Sequence, residues 1–314
     1  MNNLLSELKN HLKHCLVDGK FYLVKKLSEM AGFFMTDKKL VYVVKNFEGC
    51  NYNQMKSEYL SLCTNVEVHA VENSPQFETG FYNLLEYKIP SEENIDDFEA
   101  FVNLCVAHIQ YMGSKDFLGF FYSLMNLFQP QKYEKRKNII GLYGELLFID
   151  YVYTNYDIDI SKNWHATSGS YSKYDFDFNG VNFEVKTTFN ISNVLLKHFQ
   201  IFNSDKNYLI VMLIEENNVG KSLEELINEL YLKGCCRSYK FTLNLETEKK
   251  RVSAIDVKQK KFVLKNVFVY DTNAINVFHN IPESITDLQY RIDLSEKTCL
   301  SDKQVESTIS AIIE

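Results

Sequence analysis

The segment YDFDFNGVNFEVKTT (174–188) constrains the fold most, because it specifies a hairpin and its register together. Asn and Gly both tolerate positive φ, which makes Asn-Gly the strongest two-residue hairpin signal. With Asn179 and Gly180 at the turn, Phe178 faces Val181, Asp177 faces Asn182, Phe176 faces Phe183, and Asp175 faces Glu184. Side chains alternate along a strand. One face then carries Asp175, Asp177, Asn182, Glu184 and Lys186. The other carries Phe176, Phe178, Val181, Phe183 and Val185 and is the core side.

Like charges facing each other across a ladder destabilise it. A cation between them removes that cost, and Mg²⁺ is a hard ion that takes carboxylate oxygens and keeps several waters. Lys186 follows Glu184 on the same face, placed to orient a water or to offset charge on a phosphate. Two acids and a lysine around one cation supply a Lewis acid, a nucleophile generator and a template for phosphodiester hydrolysis. The competing reading is an ordinary hairpin with a solvated polar face, since D…ExK on paired strands is a common pattern.

The upstream stretch NIIGLYGELLFIDYVY (138–153) bears on that choice. It reads as a very apolar helix in which Glu145 is the lone ionisable group of IIGLYGELLFI. A carboxylate in such surroundings needs a partner or a metal. Gly141 and Gly144 lie on one face, and each costs ~1 kcal/mol against Ala in a helix interior. Close approach to another backbone beside Glu145 accounts for them, as do packing glycines with Glu145 paired to a Lys or Arg.

Together, GLYGEL and DFDF…FEVKTT resemble the PD-(D/E)XK nuclease superfamily, and more narrowly a bacterial family of PD-(D/E)XK-motif proteins found among restriction and phage-defence genes. The resemblance extends over most of the chain, through the Trp164 loop, LLKHFQI (195–201), GKSLEELI (220–227) and NIPESITDLQYRIDL (280–294). It implies a restriction-endonuclease-like α/β core with a mixed central sheet flanked by helices. It makes Glu145 the first-helix acid and Glu184 and Lys186 the (D/E)XK pair. Asp175 is preferred as the first acid, with Asp177 as the alternative. The metal set is then Asp175, Glu184 and Glu145, holding Mg²⁺ or, in substitution, Mn²⁺. The proline of the motif name is absent, since Tyr174 precedes Asp175 and Phe176 precedes Asp177.

The rest of the chain reads as α/β in two regions. Residues 1–130 form an N-terminal α/β region: a helix over 1–16, strands through 20–90 at LVYVVK (40–45), VEVHAV (66–71) and FYNLLEYKI (81–89), then helices to about 113 and over 115–128. The polar, basic connector QKYEKRKN (131–138) opens the nuclease core, 131–314. There NYLIVMLIE (207–215) suits a buried central strand. Ser222 with Glu225 three residues on predicts a capping box for a helix over 223–233. Residues 239–300 read as strands and turns, with VFVY (267–270) the clearest strand.

Composition sets limits on partners. The net charge is −7 and the pI about 5.6, which is not the footprint of a chain that binds nucleic acid tightly by itself. A local basic groove is still compatible. Lys132, Lys135, Arg136 and Lys137 are one candidate patch, and Lys197, His198 and His165 are candidate substrate contacts. Seven cysteines, an odd number without CxxC, read as reduced thiols. No run of 18 apolar residues exists and the N-terminus lacks a cleavage site, so no membrane partner is expected and the expected location is cytoplasmic. VGKSLEEL lacks the first glycine of a phosphate-binding loop.

The expected function is Mg²⁺-dependent DNA endonuclease activity in restriction or phage defence, alongside a helicase, ATPase or methyltransferase. A homodimer is kept open. The alternatives are a catalytically silent nuclease-fold subunit that binds DNA or protein in a defence complex, and an RNA-directed nuclease.

Overall fold

The computed structural model describes residues 2–13, 20–37, 39–47, 53–69, 78–88, 95–128, 139–165, 173–178, 180–201, 206–275, 278, 281–282, 284–285 and 287–312. The basic connector 131–138, the turn residue Asn179 and the loop 166–172 lie outside them. The chain divides into two compact units, Met1–Lys132 and Tyr133–Glu314.

The first unit begins with α1 (Asn2–Lys13). Strands β1 (Tyr22–Lys26), β2 (Ala31–Thr36), β3 (Lys39–Lys45), β4 (Asn53–Lys56), β5 (Leu60–Val68) and β6 (Gly80–Lys88) follow, then α2 (Ile95–Tyr111) and α3 (Phe117–Phe128). The strands make one antiparallel sheet in the order β1-β2-β3-β6-β5-β4. Alternation puts Tyr42 and Tyr87 on the face that meets the helices. Tyr42 stacks on Phe117, Tyr87 on Phe101, and all four are buried.

The second unit begins with α4 (Ile139–Tyr156). After a 3-10 turn at Ser161–Asn163 come β7 (Phe176–Phe178), β8 (Val181–Thr188), β9 (Val194–Lys197), α5 (His198–Ile201) and β10 (Lys206–Ser222). Helices α6 (Leu223–Lys233), α7 (Tyr239–Lys249) and α8 (Ala254–Gln259) precede β11 (Lys261–Asp271), β12 (Gln289–Ile292) and α9 (Asp302–Ser310). The main sheet runs β11-β10-β8-β7. Its central β8–β10 pair is parallel and its outer pairs are antiparallel. This is a mixed α/β architecture of the restriction-endonuclease-like kind.

Alternation along β8 and β10 assigns their side chains to two layers. Phe183, Val185, Ile210 and Met212 join Leu142 and Phe148 of α4 in one core. Leu209 and Val211 join Val194, Leu196, Tyr270 and Leu294 on the opposite face, where β9 and β12 pair with each other. The β8 face bearing Asn182, Glu184 and Lys186 is therefore covered, and Asn182 and Glu184 are buried. The solvated polar face of an ordinary hairpin is not what forms.

Within the stretch expected as strands and turns, Tyr239–Lys249 and Ala254–Gln259 are helical. The aromatic and β-branched content of YKFTL suggests strand, but Ser238 caps Phe241 N, and the four-residue spacing of Phe241 and Leu245 buries both. Tertiary burial outweighs propensity there. The α6 cap forms as a capping box: Ser222 N donates to Glu225 Oε2 at 2.7 Å, and Glu225 N donates to Ser222 Oγ at 3.2 Å.

Candidate active site

The hairpin that carries the site pairs Phe176 with Phe183, Asp177 with Asn182 and Phe178 with Val181. Gly180 has φ +99°, the left-handed backbone that such a turn requires. The ladder stops at Phe176, so Asp175 is not a cross-strand partner of Glu184. Instead, Asp175 Oδ2 accepts from Val185 N at 2.8 Å, beside Glu184.

Glu184 is 2 % exposed. One of its carboxylate oxygens, Oε1, pairs with Lys186 Nζ. The other, Oε2, is buried and has no hydrogen-bond partner among the described residues. Burial pushes the Glu184 carboxyl above its ordinary range. The Lys186 charge and hydrogen bond oppose this push, the charge of Glu145 adds to it, and Lys197 opposes it. Burial works to lower Lys186, but the charge of Glu184, the charge of Asp175, the Glu184 hydrogen bond and the charge of Glu145 together hold its pKa above the ordinary value. Glu145, Asp175, Glu184 and Lys186 thus form one electrostatically coupled group.

Glu145 comes from α4 and is itself buried. It is held by the indole of Trp164, whose Nε1 donates to Glu145 Oε2 at 2.9 Å. Gly144 explains how the helix comes so near β8. A Cβ on it would lie 1.6 Å from Thr187 Oγ1 and 2.8 Å from Thr187 Cβ. The close neighbour is a side chain, where a backbone was expected.

Of the two candidate first acids, Asp175 acts on Lys186, whereas Asp177 is exposed and acts on His165. Burial holds the His165 ring below its ordinary pKa, Lys240 adds to that, and Asp177 opposes it. The backbone N of His165 donates to Asp175 O at 2.9 Å. Lys197 is exposed and close enough to act on Glu184. His198 is buried, with Nδ1 3.5 Å from Tyr290 Oη, so it is not open to substrate as a surface residue. Lys132, Lys135, Arg136 and Lys137 lie outside the described residues.

Two contributors escape the motif reading. Gln200 Oε1 accepts from Lys186 Nζ at 3.3 Å, and Gln200 Nε2 donates to Lys173 O at 3.4 Å. Trp164, the single tryptophan of the chain, holds Glu145. Their signals were LLKHFQI and the uniqueness of Trp164, but neither names the atom contacted.

Among the described residues no three His, Cys, Asp or Glu side chains are gathered as a ready metal set. The chemistry of the donors still suits a hard divalent cation. Asp175 and Glu184 supply carboxylate oxygens, Glu184 Oε2 is buried and unpartnered, and the negative charge of Glu145 is near.

Acids from a helix and from adjoining strands, with a lysine two residues after the last acid, define the PD-(D/E)XK class. The chain belongs to the family described as "Putative PD-(D/E)XK family member, (DUF4420)", which matches residues 98–295. No curated protein and no solved structure matches the chain.

Proposed function

We propose that the chain is a Mg²⁺-dependent DNA endonuclease, with Mn²⁺ able to substitute, that works in cytoplasmic restriction or phage defence. The observation that carries this reading is the buried, unpartnered Oε2 of Glu184 within the group of Asp175, Glu145 and Lys186. An orphaned buried carboxylate oxygen is costly unless something pairs with it, and divalent-metal binding offsets that cost. Asp175 and Glu184, with Glu145, would hold the ion. When bound, it supplies Lewis-acid polarisation of a phosphoryl oxygen and a water of lowered pKa.

The chain's own residues set the geometry. The Val185 N–H fixes the Asp175 carboxylate, and the Trp164 indole fixes Glu145. Lys186, steadied by Gln200, holds a positive charge where a scissile phosphate would sit or orients the attacking water. Preorganised charge of this kind is the largest contributor to phosphoryl-transfer catalysis.

The net charge of −7 favours DNA delivery by a partner such as a helicase, ATPase or methyltransferase. The involvement of Lys186 with Glu184 and Gln200 also suits a silent binding subunit. Incubating the purified chain, alone and with its partner, with plasmid, linear and single-stranded DNA and with RNA, in EDTA or in Mg²⁺ or Mn²⁺, tests the proposal. Metal-dependent cleavage supports it. Cleavage of RNA alone would move the substrate to RNA, and no cleavage even with the partner present would favour the silent subunit. No described helix is long and apolar enough to cross a membrane.

A further inference from the structure

Next to Lys197 the chain displays a connected series of rings that the hydrolytic reading does not use. Phe199 is 41 % exposed and meets His198 edge-on at 5.3 Å. His198 faces Tyr290 at 6.1 Å, and Tyr290 meets Phe278 edge-on at 5.2 Å. Phe278 is 61 % exposed. The two middle rings are buried or half-buried and support the two exposed ones. Large rings left in water at both ends of a supported series are an interaction surface in waiting.

The charges beside the series select the partner. Lys197 and Arg291 are exposed on the paired strands β9 and β12, and Arg291 is held by Asn193 at 3.2 Å. The nearby acid Asp287 accepts from Gln289 Nε2 at 3.2 Å. The series is also continuous with the candidate active site: Lys197 acts on Glu184, and Gln200, next to Phe199, contacts Lys186. Exposed rings with cations at the neighbouring chain positions 197 and 291, close to a phosphodiester site, match bases that stack while their backbone follows the positive charges. Paired bases inside a duplex offer no free π-face.

We propose that Phe199 and Phe278, flanked by Lys197 and Arg291, form a stacking surface for unpaired bases, so that the substrate is single-stranded or locally unpaired nucleic acid. This inference rests on the nuclease reading above, but its test does not need cleavage.

The probe is a short single-stranded DNA oligonucleotide carrying 2-aminopurine, alone or annealed to its complement, titrated with the full chain in EDTA at low salt. The single strand is expected to bind several-fold tighter than the duplex, with the change in 2-aminopurine emission that stacking causes. Phe199→Ala and Phe278→Ala should each weaken single-strand binding roughly 5- to 100-fold, the range for loss of one stacked base. Phe199→Tyr and Phe278→Trp should retain it, whereas Phe199→Leu should lose it despite its similar apolarity. Unchanged affinity in both alanine variants, or equal binding of duplex, overturns the inference. So does a self-associating wild type whose dimer is broken by the same substitutions while oligonucleotide binding is unaltered, because the rings would then serve a second copy. A chain that shows this binding pattern yet never cuts sinks only the hydrolytic reading.

Discussion

Trp164 donates its indole N–H to Glu145 at 2.9 Å, and both residues are buried in the second unit. The bond joins a loop to the apolar helix α4 and satisfies part of a carboxylate that solvent does not reach. Trp164→Phe keeps a ring against Phe241, which lies 5.4 Å away, but removes the donor. It should destabilise the chain by about 1–3 kcal/mol, read by denaturant unfolding. Glu145→Gln keeps an acceptor and should cost less. Equal stability of Trp164→Phe and wild type would show that the bond carries no energy.

Gly144→Ala tests the approach of α4 to β8. Alanine is the better helix former by ~1 kcal/mol, so an open site would gain stability. Here the added Cβ meets Thr187 at 1.6 Å, and overpacking should win, with a net loss of about 1–3 kcal/mol. Thr187→Ala in the same chain removes the nearest atom and should recover part of the loss. A stabilised Gly144→Ala would mean that the helix sits farther from the strand.

In the first unit, His108 is fully buried. Its Nε2 lies 3.1 Å from the Lys115 carbonyl and its Nδ1 lies 3.1 Å from Tyr42 Oη. A carbonyl only accepts, so Nε2 carries the proton and Nδ1 accepts from Tyr42. Burial lowers the pKa to about 4, with the Lys115 hydrogen bond and the Asp116 charge opposing. The folded chain thus takes up this proton less readily than the unfolded chain. The contribution is fully present above the unfolded value of 6.5 and is lost as pH falls toward 4. Melting temperature should fall across that window in wild type and less steeply in His108→Gln. Identical pH profiles would remove His108 as a source of acid lability.

Much of the second unit is legible in the sequence because its signals are local. Asn-Gly with strict alternation specifies the β7–β8 register, and Ser222 with Glu225 specifies the start of α6. What escapes depends on segments far apart in the chain. On the sheet face that carries Glu184, Leu209 and Val211 of β10 pack with Val194 and Leu196 of β9 and with Leu294, so no local pattern shows that the polar face of β8 is buried. The link from Trp164 to Glu145 likewise exists only once the loop docks on α4. The composition of α7 suggests strand, whereas Phe241 and Leu245 serve a buried helical face.

Metal binding is expected to be visible without turnover. Mg²⁺ or Mn²⁺ should raise the melting temperature of wild type by mass action, by an amount that grows with concentration. Asp175→Asn combined with Glu184→Gln should abolish the shift. Equal metal-induced shifts in wild type and the double variant would place the ion elsewhere.

The most direct measurement of the central claim is DNA cleavage by wild type, Lys186→Ala and Glu184→Gln, each checked for a retained fold by a cooperative melting curve and each supplied with Mg²⁺ or with EDTA. The partner is included if wild type requires it. Lys186 is partly exposed and not part of the apolar core, but it pairs with the buried Glu184, so Lys186→Ala should lower the melting temperature while keeping a cooperative melting curve. The prediction is Mg²⁺-dependent cleavage by wild type and a loss of at least about 100-fold in both variants, the scale on which preorganised charge acts in a transition state. Full cleavage by both folded variants would contradict the account.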